Sequence, residues 1–204
     1  MAQAIVSFFA IIDPIGGILV FHLFTRQLAV RDRLLAAAVA CVGAFSLLLA
    51  FSLGGEEVLD FLGISSESFQ VAAGLLLIPP AYRLVMEGQP GVVDETSSQD
   101  PLDFALVPLA TPLIAGPGAL AATTSFAQSD GQATTIAAFS IVLLLALAAF
   151  AAADMLFRLM GGPLLRVLSR IVGILLFAIA VDFVLDGARN FVETAAIAGP
   201  RLLV

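Results

Sequence analysis

Two segments set a polar residue, a proline and glycines inside apolar sequence: Asp13-Pro14-Ile15-Gly16-Gly17 and Thr111-Pro112-Leu113-Ile114-Ala115-Gly116-Pro117-Gly118. Asp and Thr are good helix N-caps, and proline suits the first helical position, where an N–H has no intrahelical partner. Each segment therefore predicts a helix that stops and starts again, and Gly116-Pro117-Gly118 supplies a second possible start in the later one. The start of a half-helix exposes N–H groups and a partial positive charge that suit a carboxylate. The end of the preceding half offers free carbonyls to a cation or an ammonium group. Asp13, Pro14, Gly16 and Gly17 from one break, with Thr111, Pro112, Gly116, Pro117 and Gly118 from the other, are the expected substrate-binding residues. Such a site has mixed polarity and matches a small zwitterion, with the glycines letting backbone approach ligand closely.

Asp13 and Asp182 are the candidates for proton or ion coupling. Asp13 falls midway along its apolar run, where an unpaired carboxylate is costly, so it is expected to be neutral, paired or hydrogen-bonded to backbone donors. A plain N-cap is its alternative role. Asp182 follows Arg170 by eleven residues, about 16 Å along a helix, which makes it either a coupling site or an end-of-helix anchor. The spacing of Asp154 with Arg158, and of Asp186 with Arg189, predicts structural ion pairs on helix faces. His22, the sole histidine, reads as an interfacial residue. One His and one Cys, Cys41, exclude a disulfide and a His/Cys metal cluster. No metal site, cofactor or enzymatic activity is expected, since zincin, nucleophile-elbow and phosphate-loop motifs are all absent.

The elements that must position these residues lie in lipid. Of 204 residues, 60 % are hydrophobic and 12 % charged, with mean hydropathy +1.07, too little polar surface for a water-soluble globule of this size. Charge-free runs place six spans, at about Ala2 to Phe24, Leu34 to Gly55, Phe69 to Val85, Phe104 to Phe126, Gly131 to Ala153 and Leu168 to Leu185. The first cation is Arg26, so no basic leader region precedes the first span, which is expected to be retained. All nine basic residues are arginine, against sixteen acidic ones, and this acidic balance excludes nucleic acid as a partner. Seven of the nine, Arg26, Arg31, Arg33, Arg83, Arg158, Arg166 and Arg170, fall in connections after spans one, three and five. The positive-inside rule then puts those connections in the cytoplasm and both termini outside, in a multi-pass cell-membrane protein.

The chain also carries an internal repeat. Each half has a break, then a Gly-Gly pair (Gly54-Gly55 and Gly161-Gly162), an amphipathic set (Val58, Leu59, Phe61, Leu62 and Leu164, Leu165, Val167, Leu168), and a glycine opening the last span (Gly74 and Gly173). Acidic residues flank the first set and arginines the second, which predicts equivalent interfacial helices on opposite surfaces. Three spans per half invert the second copy. The expected fold is all-α: one polytopic membrane domain over residues 1–204, a 3+3 inverted repeat with broken helices 1 and 4. Repeat A covers about 1–85, a cytoplasmic loop about 86–103 and repeat B about 104–190. Interrupted helices at matching positions of inverted halves point to a secondary transporter with a site near the midplane.

These residues, with Phe61-Leu62-Gly63-Ile64-Ser65, Ala73-Gly74 and above all the string Val107-Pro108-Leu109-Ala110-Thr111-Pro112-Leu113-Ile114-Ala115-Gly116-Pro117-Gly118, are similar over essentially the whole chain to the MarC family. That family includes the SnatA-type neutral amino-acid transporters and is grouped with LysE-like exporters. The resemblance implies six spans and residence in the cell membrane. The expected function is transport of small neutral amino acids by alternating access. A cation or metal-ion exporter using Asp13 and Asp182, or a non-transporting structural or assembly subunit, are the alternatives. Beyond substrate and lipid bilayer, the small-xxx-small spacings Ala36, Ala40, Ala44 and Ala149, Ala153 leave room for a homo-oligomer.

Overall fold

A computed structural model of the chain describes residues 1–25, 28–88 and 114–198. They form helices α1 (Ala2–Ile12), α2 (Pro14–Thr25), α3 (Val30–Phe61), α4 (Ser66–Glu87), α5 (Pro117–Ser129), α6 (Gln132–Ala151) and α7 (Ala153–Ala198). Among the described residues, five stretches are long and apolar enough to cross a membrane: Ala2–His22, Val30–Phe61, Ser66–Glu87, Gln132–Ala151 and Ala153–Glu193. The expected span from Phe104 to Phe126 has its first part outside the described residues, as is the loop from residue 89 onward; α5 begins in the remainder. At 1.5 Å per residue, the 32 residues of α3 reach about 48 Å, well beyond a hydrocarbon core of about 30 Å, so its ends project past the bilayer.

Residue sizes are distributed as lipid solvent demands. Ala36, Ala40, Ala44, Ala119, Ala122, Ala138, Ala146 and Ala180 are fully buried, while Leu75, Leu144, Leu159 and Ile174 face outward. Without a hydrophobic drive between helices in lipid, close backbone approach through small residues supplies the packing. Ala36, Ala40, Ala44 and Ala153 are buried inside the chain, and Ala149 is half-buried.

The main packing comes in exchange-related pairs. α2 lies on α7 as α5 lies on α4, α2 lies on α6 as α5 lies on α3, and α3–α6 and α4–α7 pair across the halves. The α4–α7 seam is antiparallel and self-complementary. A Cβ at Gly74 would lie 2.7 Å from the Ala180 carbonyl oxygen and 2.8 Å from a Val184 methyl, and one at Gly173 would lie 2.7 Å from Leu84 Cβ and 3.0 Å from Val85 N. Val85 follows Gly74, and Val184 follows Gly173, by the same eleven residues, so each half presents one motif to its counterpart.

The two Gly-Gly pairs do not behave alike, which corrects the expectation of two short interfacial helices. α3 runs unbroken through Gly54 and Gly55 to Phe61, and the chain turns afterwards at Gly63 (φ 69°). In the second half the break is at Gly161 itself (φ 71°, ψ 157°), so Leu164, Leu165, Val167 and Leu168 form the opening turns of a helix over 162–198. The amphipathic set ends one helix and begins another. Gly63 and Gly161 have the left-handed φ that glycine tolerates, and their positions decide where each helix divides.

Candidate functional site

Asp13 closes α1 and opens α2. Its backbone is left-handed (φ 45°, ψ 66°), a conformation Asp tolerates better than most residues, and its N–H donates to the Phe9 carbonyl. Pro14 has no N–H and its ring clashes with a carbonyl one turn back, so a single helix cannot pass this point. The Asp13 carbonyl accepts from Gly17 N–H at 2.9 Å, and its Oδ1 accepts from Gly16 N–H at 2.9 Å. Asp13 is thus the N-cap of α2, as the Asp-Pro pair predicts. It lies eleven residues into the span, about 17 Å deep, and is buried. One oxygen remains over: Oδ2 finds no hydrogen-bond partner among the described residues.

The neighbouring glycines have separate jobs. A Cβ at Gly16 would run into the Asp13 carboxylate, so this glycine lets the carboxylate fold back onto its own helix start. Gly17 faces Phe150 of α6, where a Cβ would lie 2.8 Å from the ring. Gly118 faces the Leu77 side chain of α4, which a Cβ would overlap. Gly17 and Gly118 therefore serve helix packing.

In the second break the helix starts at Pro117, with Gly116 as N-cap (φ −73°, ψ 175°) and Pro117 at the first helical position. Of the two possible starts, Gly116-Pro117-Gly118 is the one used among the described residues; Thr111 and Pro112 lie outside them. Gly116 has no side chain with which to cap, so the start of α5, half-buried at Gly116 and exposed at Pro117, has no capping hydrogen bond from its N-cap side chain, unlike that of α2. A helix start without a capping side chain presents N–H groups that suit an anion. The Asp13 break presents a carboxylate oxygen. The two breaks thus carry opposite polarity.

Asp182 is exposed and takes no part in the Asp13 break. With Glu67, Asp130 and Asp186 it lines a cavity of about 530 Å³ between α1, α4, α5 and α7, to which Gln3 and Asn190 also contribute. Among the described residues, no Lys or Arg lines this cavity. The fold thus gathers acidic groups at the end of the bundle that holds the start of α4 and the end of α5.

The opposite end is basic and tied by ions. Asp154 bonds across the bundle: His22 Nδ1 donates to its Oδ1 at 2.8 Å, and Arg33 Nη1 donates to its Oδ2. A carboxylate accepts only, so His22 carries its proton on Nδ1. The imidazole also stacks on Phe157, with ring centres 4.1 Å apart. This corrects the expected Asp154–Arg158 pair, and Arg189 likewise bonds Glu193 at 2.9 Å and not Asp186. Spacing places side chains on one face, but the partner across the bundle at shorter reach wins. Asp154→Ala would leave Arg33, only 17 % exposed, without its carboxylate. The expected loss is about 1–2 kcal/mol, read as a lower melting temperature of the purified chain in detergent.

Bundled apolar helices with alanine inside and leucine outside, one of them broken over a buried carboxylate, define a polytopic α-helical integral membrane protein. Within that class the chain belongs to the MarC family: the pattern described as "MarC family integral membrane protein" matches residues 1–192. A UPF0056 membrane protein of Methanocaldococcus jannaschii is 33 % identical, over 90 % of this chain and 93 % of its own length. Another from Aquifex aeolicus is 30 % identical, over 94 % and 93 %. A third, from Buchnera aphidicola subsp. Schizaphis graminum, is 32 % identical over 91 % and 90 %. No solved structure matches the chain.

Proposed function

We propose that the chain is a secondary transporter of small solutes, with small neutral amino acids as substrate, exported or exchanged by alternating access. The observation that carries this reading is the Asp13 break, where a buried carboxylate keeps one oxygen without a partner among the described residues, midway through a span. Burying an unsatisfied polar atom costs stability, and in lipid such groups mark substrate and ion pathways. The carbonyls that end α1 suit the ammonium of a zwitterion, and the start of α5, whose N-cap Gly116 has no capping side chain, suits its carboxylate. The substrate enters from either side as the α1–α2 and α5 units rock against the α4–α7 seam. The acidic cavity around Asp182 favours a second reading, export of a cation.

Counterflow into liposomes separates these readings. A panel of amino acids and metal ions is offered to the purified chain; exchange of alanine-sized neutral amino acids supports the first, and exchange of ions alone supports the second. No exchange of any solute supports a structural subunit.

The arginine-bearing ends of α3, α4 and α7 face the cytoplasm of a cell-membrane protein in this reading, with the acidic end and both termini outside. Cys41 is buried, and replacing it by alanine provides a background free of other thiols. In that background Ser129→Cys, at the exposed end of α5, is expected to react with an impermeant maleimide from outside only. Labelling from the cytoplasmic side alone would reverse the topology.

A further inference from the structure

α7 is divided at Gly161, and the residues before the division, 153–160, form a segment of their own between it and the α6–α7 junction at Ala152. The backbone at Gly161 (φ 71°, ψ 157°) is open essentially to glycine alone. Pro163, two residues on, has no N–H with which to carry the helix back across the division. Among the described residues, a Cβ at Gly161 would meet nothing nearer than Pro163 Cδ at 3.7 Å, whereas one at Gly74 or Gly173 would strike the facing helix at 2.7 Å. The α4–α7 seam is wedged, and the pivot is not.

A polar cluster ties this segment to the first half of the chain. Asp154 takes His22 of α2 on one oxygen and Arg33 of α3 on the other, and Phe157 lies nearly flat against the His22 ring. The side chains of His22, Arg33 and Asp154 keep 16, 17 and 30 % of their surface exposed, and Asp154 lines an open cavity of about 520 Å³ with Met155, Arg158 and Leu159. Water therefore reaches the tie, and hydration replaces its hydrogen bonds when it parts. α2 connects the tie to the candidate site. His22 follows Asp13 by nine residues, about 14 Å along a helix, so a shift at the start of α2 is delivered to His22.

We infer that residues 153–160 form a gate at the basic end of the bundle, pivoting at Gly161 and held shut by His22 and Arg33 on the Asp154 carboxylate. The inference rests on the transport reading, because alternating access needs a closure at each end that parts at modest cost, and interface ion pairs are contacts that such transitions exchange. Behind the tie the route is filled by apolar side chains. Ile18, one turn deeper than His22 on the same face of α2, is buried, and Phe21 stacks on Phe150 of α6 with ring centres 5.1 Å apart. Parting of 153–160 from α2 uncovers Ile18 and then the Asp13 break.

The test introduces Ile18→Cys in the Cys41→Ala background and follows its reaction with a cationic methanethiosulfonate, a reagent that enters with water, in the purified chain in detergent. With the tie intact the reaction is expected to be slow. Adding Asp154→Asn, which keeps the shape and removes the charge, is expected to speed it about tenfold, the effect of a hydrogen bond between charged groups. Asp154→Glu keeps the charge and is expected to react as slowly as the parent. Attraction of the reagent to a carboxylate would give the reverse order, so the comparison reads closure and not local charge. Ser169→Cys, at a buried position one turn before Gly173 of the α4–α7 seam, is the second reporter and is expected to stay slow in Asp154→Asn. Unchanged labelling of Ile18→Cys in Asp154→Asn overturns the inference. So does equal acceleration of Ser169→Cys, which would mean general loosening, and so does equal acceleration in Asp154→Glu. Counterflow by the parent is run alongside: absence of exchange overturns the transport reading, whereas unchanged labelling with exchange intact overturns the gate alone.

Discussion

Asp13→Asn is expected to leave exchange within about twofold of the parent, while Asp13→Ala is expected to lose it by tenfold or more. Asparagine caps a helix about as well as aspartate and tolerates the left-handed backbone that residue 13 adopts (φ 45°), so the bond to Gly16 N–H persists. Alanine does neither. It forfeits a cap of about 1 kcal/mol and adds about 1–2 kcal/mol of backbone strain, which frees α2 to shift relative to α1 in the span where the site forms. Counterflow in liposomes with an alanine-sized substrate reads the outcome. A tenfold loss in Asp13→Asn would assign the role to the carboxylate charge, and full activity in both variants would remove Asp13 from the site.

Gly74→Leu and Gly173→Leu are each expected to prevent recovery of monodisperse protein. At Gly74 even a methyl would meet the Ala180 carbonyl at 2.7 Å and Val184 N at 3.0 Å, and at Gly173 it would meet the Val85 backbone at 3.0 Å. These are backbone atoms of a facing helix, and no rotamer change relieves them. Overpacking a tight seam costs about 1–3 kcal/mol even where side chains can yield, and here the helices themselves must separate. The seam joins the two halves, so the loss extends to the whole bundle. Gly54→Leu is the matched control, since a Cβ there meets nothing nearer than 3.9 Å. Size-exclusion profiles and melting in detergent distinguish them; a normal profile for Gly74→Leu would show that the seam adapts.

Hydropathy and punctuation in the sequence determined that this chain is an α-helical membrane protein with a helix divided at Asp13. Both readings are local: a charge-free run of about 20 residues has one stable environment, and Asp-Pro leaves one way to stop a helix and restart it. The start at Pro117 was legible for the same reason, as one of two sites where Pro follows a capping position. The helix boundaries at the Gly-Gly pairs were not. Gly54-Gly55 and Gly161-Gly162 read alike, yet α3 continues through one and the chain breaks at the other.

Tertiary structure alone decided which faces meet. It gave Asp154 to His22 and Arg33, more than a hundred residues away, over Arg158 four residues on. Packing also turned Gly17 and Gly118 toward Phe150 and Leu77. Spacing constrains the rotation of a side chain about its own helix. The partner it meets depends on the crossing and depth of another helix, and those are set by small-residue seams such as Gly74 and Gly173, summed over the whole bundle.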